Sequence, residues 1–381
     1  MKANPRAALR ILVACDAFKG SASASQVNQA IALGLGSTLP DAVVCCLPLA
    51  DGGEGTLDVL AAALGLPVRT SEVHPQDGEC REARWACDGT LALIESAQVC
   101  GWQAANDVMR ASSVGVGELM KEAVERGAQE LWIGLGGSSS VDGGVGMLQA
   151  LGAELLDAQG RPIAPGGGGL AALHRVDLAA PRRLLEGVEL RALCDVRSPL
   201  LGAHGARMFM AQKGADPAQS DLLEEGLRRL ADRAEDPLAP SRGRAGTGAA
   251  GGLGFGLALL GAELVDGAHW VLDAVGFDAH LQDIDLVITG EGRIDAQTSQ
   301  GKLIDVVLSR AKAAGVPVFA LCGELESSVE TKSLEAMGLA AAFSIAPGPQ
   351  SLEAARQKTL EQLERTAAAV GGVLNVSWCS S

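Results

Sequence analysis

The strongest constraint on the fold is a rhythm. Short apolar runs end on glycine and charge, and each then enters an amphipathic helical pattern. The clearest instance is Asp285–Lys302, DLVITGEGRIDAQTSQGK. Leu286-Val287-Ile288 leads through a glycine turn to Glu291, Arg293 and Asp295, and a helical pattern opens at Ser299 and Gly301-Lys302. A buried strand that releases charged side chains at its carboxyl end, just before a helix N-terminus, is how an open α/β sheet builds a ligand site. One such loop alone is more often an ordinary connection with solvated charges. Repetition along the chain is what argues for a site.

The rhythm recurs at both ends of the sequence. Residues 10–15 read as a strand, 16–21 as its loop, and Ser25 as a helix cap ahead of a stripe at Val27, Ala30, Ile31, Gly34 and Leu35. Residues 42–48 form the second strand, with Asp51-Gly52-Gly53-Glu54-Gly55-Thr56 as its loop and a helix through Leu57, Leu60, Ala61 and Leu64. From 285 onward, strands 285–289, 316–321 and 340–345 alternate with helices 302–314, 328–337 and 352–370. The middle has another texture. Hairpins fill 67–96, with turns at 76–78 and 88–89, followed by a helix over 113–127, a strand over 131–135 and a helix from about 147. A strand over 190–193 ends at Cys194-Asp195-Val196-Arg197, and a surface helix spans 218–234. These patterns predict a two-domain α/β protein. Residues 1–66 and 281–381 form a doubly wound Rossmann/flavodoxin-like parallel sheet, and residues 67–280 form an inserted mixed α/β domain, with the active site in the cleft between them.

Composition narrows the partners. A net charge of −15 argues against nucleic acid and anionic membranes. No apolar run reaches transmembrane length, and the apolar stretch before Asp16 is too short for a signal peptide. The nine cysteines make no C-x-x-C pair and predict reduced, packed thiols in a cytoplasm. The five histidines lack metal-ligand spacing, and without any tyrosine a phenol is not available as an acid.

Six glycine- and charge-bearing segments remain as candidates: 16–21, 51–56, 134–146, 194–214, 246–256 and 290–302. In 134–140, GLGGSSS lets several backbone N–H groups and hydroxyls converge on an anion. Asp142 is read first as a helix cap and second as a metal ligand. Gly246-x-Gly248-x-x-Gly251 formally matches a dinucleotide fingerprint, but a polar loop precedes it, so close backbone packing or a phosphate-facing helix start is expected instead. P-loop and protein-kinase motifs are absent. Lys19, Arg293 and Lys302 suit a carboxylate or phosphate. Asp16, Asp51, Glu54, Asp195, Glu291 and Asp295 supply carboxylates at loop starts. Phosphoryl transfer needs this mix of cations, helix N-termini, carboxylates for Mg²⁺ and one base.

The blocks DAFKGSASA (16–24), PLADGGEGT (48–56), GLGGSSSVDGG (134–144), CDVRSPLLGAHGA…FMAQKGA (194–215), GTGAAGGLGFGL (246–257) and DLVITGEGRIDAQTSQGK (285–302) resemble, in order, the type I glycerate kinases. The resemblance implies an ATP- and Mg²⁺-dependent kinase that converts D-glycerate to 2-phosphoglycerate, with an active-site cleft. D-glycerate and ATP are then the expected partners, and a homodimer is compatible with the sequence. Within that frame, Asp16, Lys19, Ser21 and Arg293 are assigned to the substrate. Asp195 is assigned as the base, with Asp295 second. Gly134, Gly136, Gly137, Ser138, Ser139, Gly251, Gly252 and Lys302 are assigned to ATP, and Asp51 and Glu291 to the metal. The sequence departs from the family pattern at Ser96, Val116, Val141, Ser198 and Ile304, where Met, Thr, Asn, Asn and Pro are expected. A kinase of a related hydroxy acid such as erythronate, or a catalytically silent ligand-binding relative, are the rival readings. A dehydrogenase is a distant third.

Overall fold

The computed structural model describes residues 8–74, 80–101, 107–236, 240–294, 303–325 and 337–379. It divides into two compact units, one made of Met1–Ala50 with Val271–Ser381 and the other of Asp51–Trp270. The chain opens with β1 (Arg10–Val13), α1 (Ala24–Thr38) and β2 (Val43–Cys46). The second unit begins with α2 (Thr56–Leu64), β3 (Val68–Val73), β4 (Arg81–Cys87), β5 (Leu91–Glu95), α3 (Ser96–Cys100) and α4 (Val114–Glu125). It continues through β6 (Glu130–Gly134), α5 (Val145–Ala150), the small pair β7 (Glu154–Leu156) and β8 (Arg175–Asp177), and α6 (Ala179–Leu184). It ends with β9 (Glu189–Cys194), α7 (Pro217–Ala234), α8 (Ala249–Leu259) and β10 (Glu263–Asp266). After α9 (Gly267–Ala274) and α10 (Phe277–His280), the first unit resumes with β11 (Leu286–Ile294), α11 (Leu303–Ala313), β12 (Val318–Leu325), β13 (Ala341–Ser344), α12 (Leu352–Gln357) and α13 (Thr359–Cys379).

The first unit is the doubly wound sheet. Its five strands run in the order β13-β12-β11-β1-β2, and every pairing is parallel. Taken in chain order within this unit, that is the flavodoxin-like order 2-1-3-4-5. Ile11, Val13, Cys15, Leu286, Ile288 and Leu321 form one core cluster with Val27, Ile31 and Leu35 of α1 and Leu363 and Ala367 of α13. Leu12, Val287 and Ala320 alternate to the other face and are equally buried, and α11 packs on β11. Burial on both faces is why these strands read as continuous apolar runs. α1 is capped by Ser23 rather than Ser25, because Ser23 and Gln26 close a reciprocal capping box. β2 lies at the sheet edge, which leaves Cys46 exposed instead of packed.

The second unit carries a six-stranded mixed sheet in the order β10-β9-β6-β5-β4-β3. β3, β4 and β5 form the expected antiparallel meander. In its second turn Asp88 Oδ1 accepts from Thr90 N and Leu91 N. β5, β6, β9 and β10 are parallel to one another. The unit boundary falls earlier than the sequence predicts. Residues 51–66 go with the middle of the chain because α2 packs on β4 and β5. Residues 271–280 go with the ends, where Asp273 and Asp278 both pair with Arg310.

The contact between α1 and α13 rests on Gly34, where an added Cβ would lie 2.1 Å from Glu364 O and 2.8 Å from Ala367 Cβ. Gly36, one half-turn on, has nothing within 4 Å. Gly34→Ala is expected to destabilise by about 2 kcal/mol, overpacking outweighing the helix-propensity gain. Gly36→Ala should stabilise by about 0.5–1 kcal/mol. Urea denaturation of the two variants checks the pair, and shifts of the same sign would show that helix propensity alone governs both sites.

Candidate active site

A cavity with charged and polar groups on its wall lies in the second unit, at the carboxyl ends of β6 and β9. Its volume is about 330 Å³, and it is lined by Leu135, Gly136, Gly137, Ser138, Asp195, Val196, Phe209, Gln212, Lys213, Ala250 and Gly251. Open α/β sheets place ligands at this end of their strands. β6 delivers the Gly136–Ser138 loop, and β9 delivers Asp195 one residue past its last paired position. Close backbone approach holds the loops together. Gly136 N donates to Gly52 O at 3.2 Å, and a Cβ on Gly136 would lie 2.4 Å from Gly53 Cα and 2.9 Å from Asp195 Oδ2. A Cβ on Gly251 would lie 2.1 Å from Ser140 O, and Gly143 N donates to Gly251 O at 3.0 Å. Only glycine lets three main chains touch in this way.

The loop that begins α8 contributes the opposite wall. Ala250, Gly251 and Gly252 take successive left-handed conformations, with φ of 53°, 64° and 90°. For Ala250 that conformation costs about 1–2 kcal/mol. Strain of this kind collects at functional sites. The spacing of Gly246, Gly248 and Gly251 therefore serves close packing. Added Cβ atoms at the first two would meet Cys194 Sγ at 2.7 Å and Pro199 O at 2.2 Å.

Several polar residues of these loops also hold the backbone in place. Asp142 is fully buried. Its Oδ2 accepts from Ser113 Oγ at 2.8 Å, Ser113 N at 2.9 Å, Gly146 N at 3.2 Å and Ser112 Oγ at 3.3 Å, while Oδ1 accepts from Gly144 N at 3.0 Å. That is the structural role, and it ties α4 to α5. Ser139 donates through both N and Oγ to Cys100 O, at 2.7 and 2.9 Å. Gly134 and Gly252 do not line the cavity: the first is the last residue of β6, and the second packs on Gly143 and Leu200. Asp51 Oδ1 accepts from Gly53 N at 2.9 Å, turning the loop that Gly136 rests on.

Two functional candidates were not singled out from the sequence. Glu95, at the end of β5, is almost fully buried and accepts from Gly55 N and Leu57 N at 3.1 and 3.0 Å, so a distant carboxylate caps α2. Burial pushes its pKa up, against those hydrogen bonds. Lys213 is the second. It lies inside the FMAQKGA block, and a lysine just before a left-handed glycine (Gly214, φ 94°) was the available signal. Its ammonium donates to Ser140 O at 2.9 Å and Ser138 Oγ at 3.2 Å.

The remaining predicted residues belong to the first unit, at its topological switch point between β1 and β11. β11 is longer than the sequence suggests. It continues past Gly290 to Ile294 and pairs Arg293 with Glu324 on β12. Glu291 and Arg293 therefore project from a strand, two residues apart on one face, with Glu291 half-buried and Arg293 exposed near Glu324. The loop after β1 follows alongside, with Asp16 N donating to Gly290 O at 3.2 Å and Ala17 N to Asp16 Oδ1 at 2.7 Å. Asp16 is buried, and Lys19 and Ser21 are exposed. Asp295 and Lys302 lie outside the described residues.

Comparison with known proteins shows the family. Residues 11–375 match the glycerate kinase family. The chain belongs to that family. It is 41% identical to the glycerate kinase of Bacillus subtilis over 94% of this chain and 96% of that one. It is 38% identical to the glycerate 2-kinase of Escherichia coli over 97% and 98%. A crystal structure assigned to glycerate kinase 2 of Salmonella typhimurium LT2 superposes with a TM-score of 0.81 at 39% identity, covering 97% of this chain and 99% of that one. The protein is thus a kinase with a two-unit α/β fold. The departures from the glycerate kinase pattern at Val116 and Val141 sit in the apolar core of the second unit, and Ile304 is buried on α11. They are packing changes and do not line the cavity. Ser198 is half-buried, and its carbonyl accepts from Gly248 N. Ser96 is buried, and its hydroxyl finds no partner among the described residues.

If Asp142 is an anchor, Asp142→Ala should cost about 3 kcal/mol or more by leaving buried donors unpaired. Chemical denaturation measures it. A variant of normal stability that lost only activity would show a catalytic or metal-binding Asp142 instead.

Proposed function

We propose that the protein transfers the γ-phosphoryl group of ATP to the 2-hydroxyl of D-glycerate, giving 2-phosphoglycerate and ADP. The observation that carries this is the second-unit cavity, where a carboxylate, Asp195, stands beside a glycine-and-serine loop suited to phosphate oxygens. In the reaction the bond from the γ-phosphorus to the bridging oxygen breaks, and ADP keeps its electron pair. The C2 hydroxyl oxygen forms the new bond to phosphorus, and its proton passes to the Asp195 carboxylate. Gly136, Gly137, Ser138 and Gly251 are assigned to the nucleotide phosphates. Lys19, Ser21 and Arg293 are assigned to the glycerate carboxylate, with Asp16 shaping their loop.

Mg²⁺ fits the donor chemistry. It takes hard oxygens and binds through one or two carboxylates plus substrate phosphates. Among the described residues no cluster of three or more acidic, histidine or cysteine side chains is placed to hold a metal ion. Asp51 is the favoured ligand, with Glu291 of the first unit as the other candidate. When bound, the ion offsets phosphate charge. A cytoplasmic site of action goes with this proposal. The eight cysteines from Cys15 to Cys322 are unbridged. No described helix is long and apolar enough to cross a membrane.

Asp195→Asn should lower kcat by about 10²–10⁴-fold, the usual contribution of a general base, with a smaller change in KM for ATP. A coupled ADP-release assay measures it, and near-normal turnover would remove Asp195 from the base role. In the same assay D-glycerate should be used far better than erythronate or lactate. Phosphorus NMR of the product should show the ester at C2. A better rate with erythronate, or a C3 ester, would overturn the reaction as written.

A further inference from the structure

Lys213 has no part in the reaction as written above. It closes a short 3₁₀ turn, Ala211–Lys213, and is more than nine-tenths buried. An ammonium has three donors. Two are spent on Ser138 Oγ and Ser140 O, and the third has no protein acceptor among the described residues. The same side chain lines the 330 Å³ cavity next to Asp195.

The plain alternative is a structural strut for the Ser138–Ser140 loop. A strut needs two neutral donors, which a glutamine would supply without burying a charge. Stripping an ammonium of water costs several kcal/mol unless opposite charge answers it. Part of the opposite charge present is already engaged. Asp142 accepts from five donors. Asp195 favours the charged form, yet burial prevails and lowers the Lys213 pKa to about 8. A cation held short of compensation on a cavity wall is suited to an anion that arrives from solution.

We propose that Lys213 is a phosphate-contacting residue of the second-unit cavity, its ammonium holding an oxygen of the ATP phosphate chain beside the Gly136–Ser138 loop. This rests on the ATP-dependent reading above. It adds the cation which the glycine loop lacks, since backbone N–H groups bring only partial charge. Anchored through Ser138 and Ser140, the ammonium is preorganised and loses little side-chain freedom when the nucleotide binds.

The titratable and charged groups facing Lys213 are Cys100 on α3, Asp142 before α5, and Asp195 after β9. Burial pushes the Cys100 thiol up to about 11, above the range used below. With ammonium as the binding form, the sign is fixed. Affinity holds below about pH 8 and falls as the lysine loses its proton above it.

The test is calorimetric titration of ATP with Mg²⁺ into the full chain without glycerate. Wild-type affinity should fall about tenfold between pH 7 and pH 9.5. Lys213→Met should bind at least tenfold more weakly at pH 7 and lose that pH dependence, and Lys213→Arg should recover part of the affinity. A strut would produce no such pH signature. If Lys213→Met does not fold by circular dichroism, the wild-type pH series and Lys213→Arg decide. A pH-independent wild-type affinity, or a folded Lys213→Met within twofold of wild type, overturns the proposal. The glycerate reading is tested separately by ADP release. Lys213-dependent ATP binding without glycerate turnover would sink that reading alone, and turnover with unchanged ATP binding in Lys213→Met would sink this one alone.

Discussion

The second unit depends on main chains that touch. Gly136 meets Gly53, Gly251 meets Ser140 and Val141, and Gly252 meets Gly143, all at distances that exclude a Cβ. Three segments far apart in sequence are thereby locked at the carboxyl ends of β6 and β9 without side chains between them. The cavity is what remains when those backbones are packed and Asp195, Phe209 and Lys213 are added around the rim. Ala250 sits in this arrangement in a left-handed conformation that costs energy, which the two glycines after it adopt more cheaply.

Carboxylates of the second unit divide into two kinds here. Asp142 and Glu95 are saturated by N–H and O–H donors and fasten helices and loops. Asp195 opens on the cavity. The side chains are chemically alike, and their position in the fold separates them. Loop position alone therefore overstates how many acids take part in chemistry.

Much of the architecture was legible because burial leaves a period in the sequence. Both faces of the β1 and β11 strands are covered, so Ile11–Val13 and Leu286–Ile288 read as unbroken apolar runs, and the flavodoxin-like order followed. The glycine loops of the cavity were legible for the same kind of reason, since clustered glycine marks close backbone approach. What escaped the sequence was long-range. β11 runs on to Ile294 because β12 accompanies it, and a charged EGR segment gives no sign of that pairing. α2 joins the second unit because of the strands it meets, which come later in the chain. Lys213 and Glu95 gain their meaning from partners at Ser138, Ser140, Gly55 and Leu57, and spacing cannot reveal those.

The parallel pairing of β1 with β11 joins residues 275 positions apart, Ile11 with Leu286. Residues 51–270 form one continuous unit and can collapse as soon as they leave the ribosome. Residues 8–50 cannot complete their sheet until β11 is made. At about 5–20 residues per second that is a delay of about 12–48 s. During it, α1 and the first two strands present the apolar face later covered by α13 and the flanks later covered by β11. The amino-terminal segment is thus the part of the nascent chain whose maturation is timed by translation of the far end.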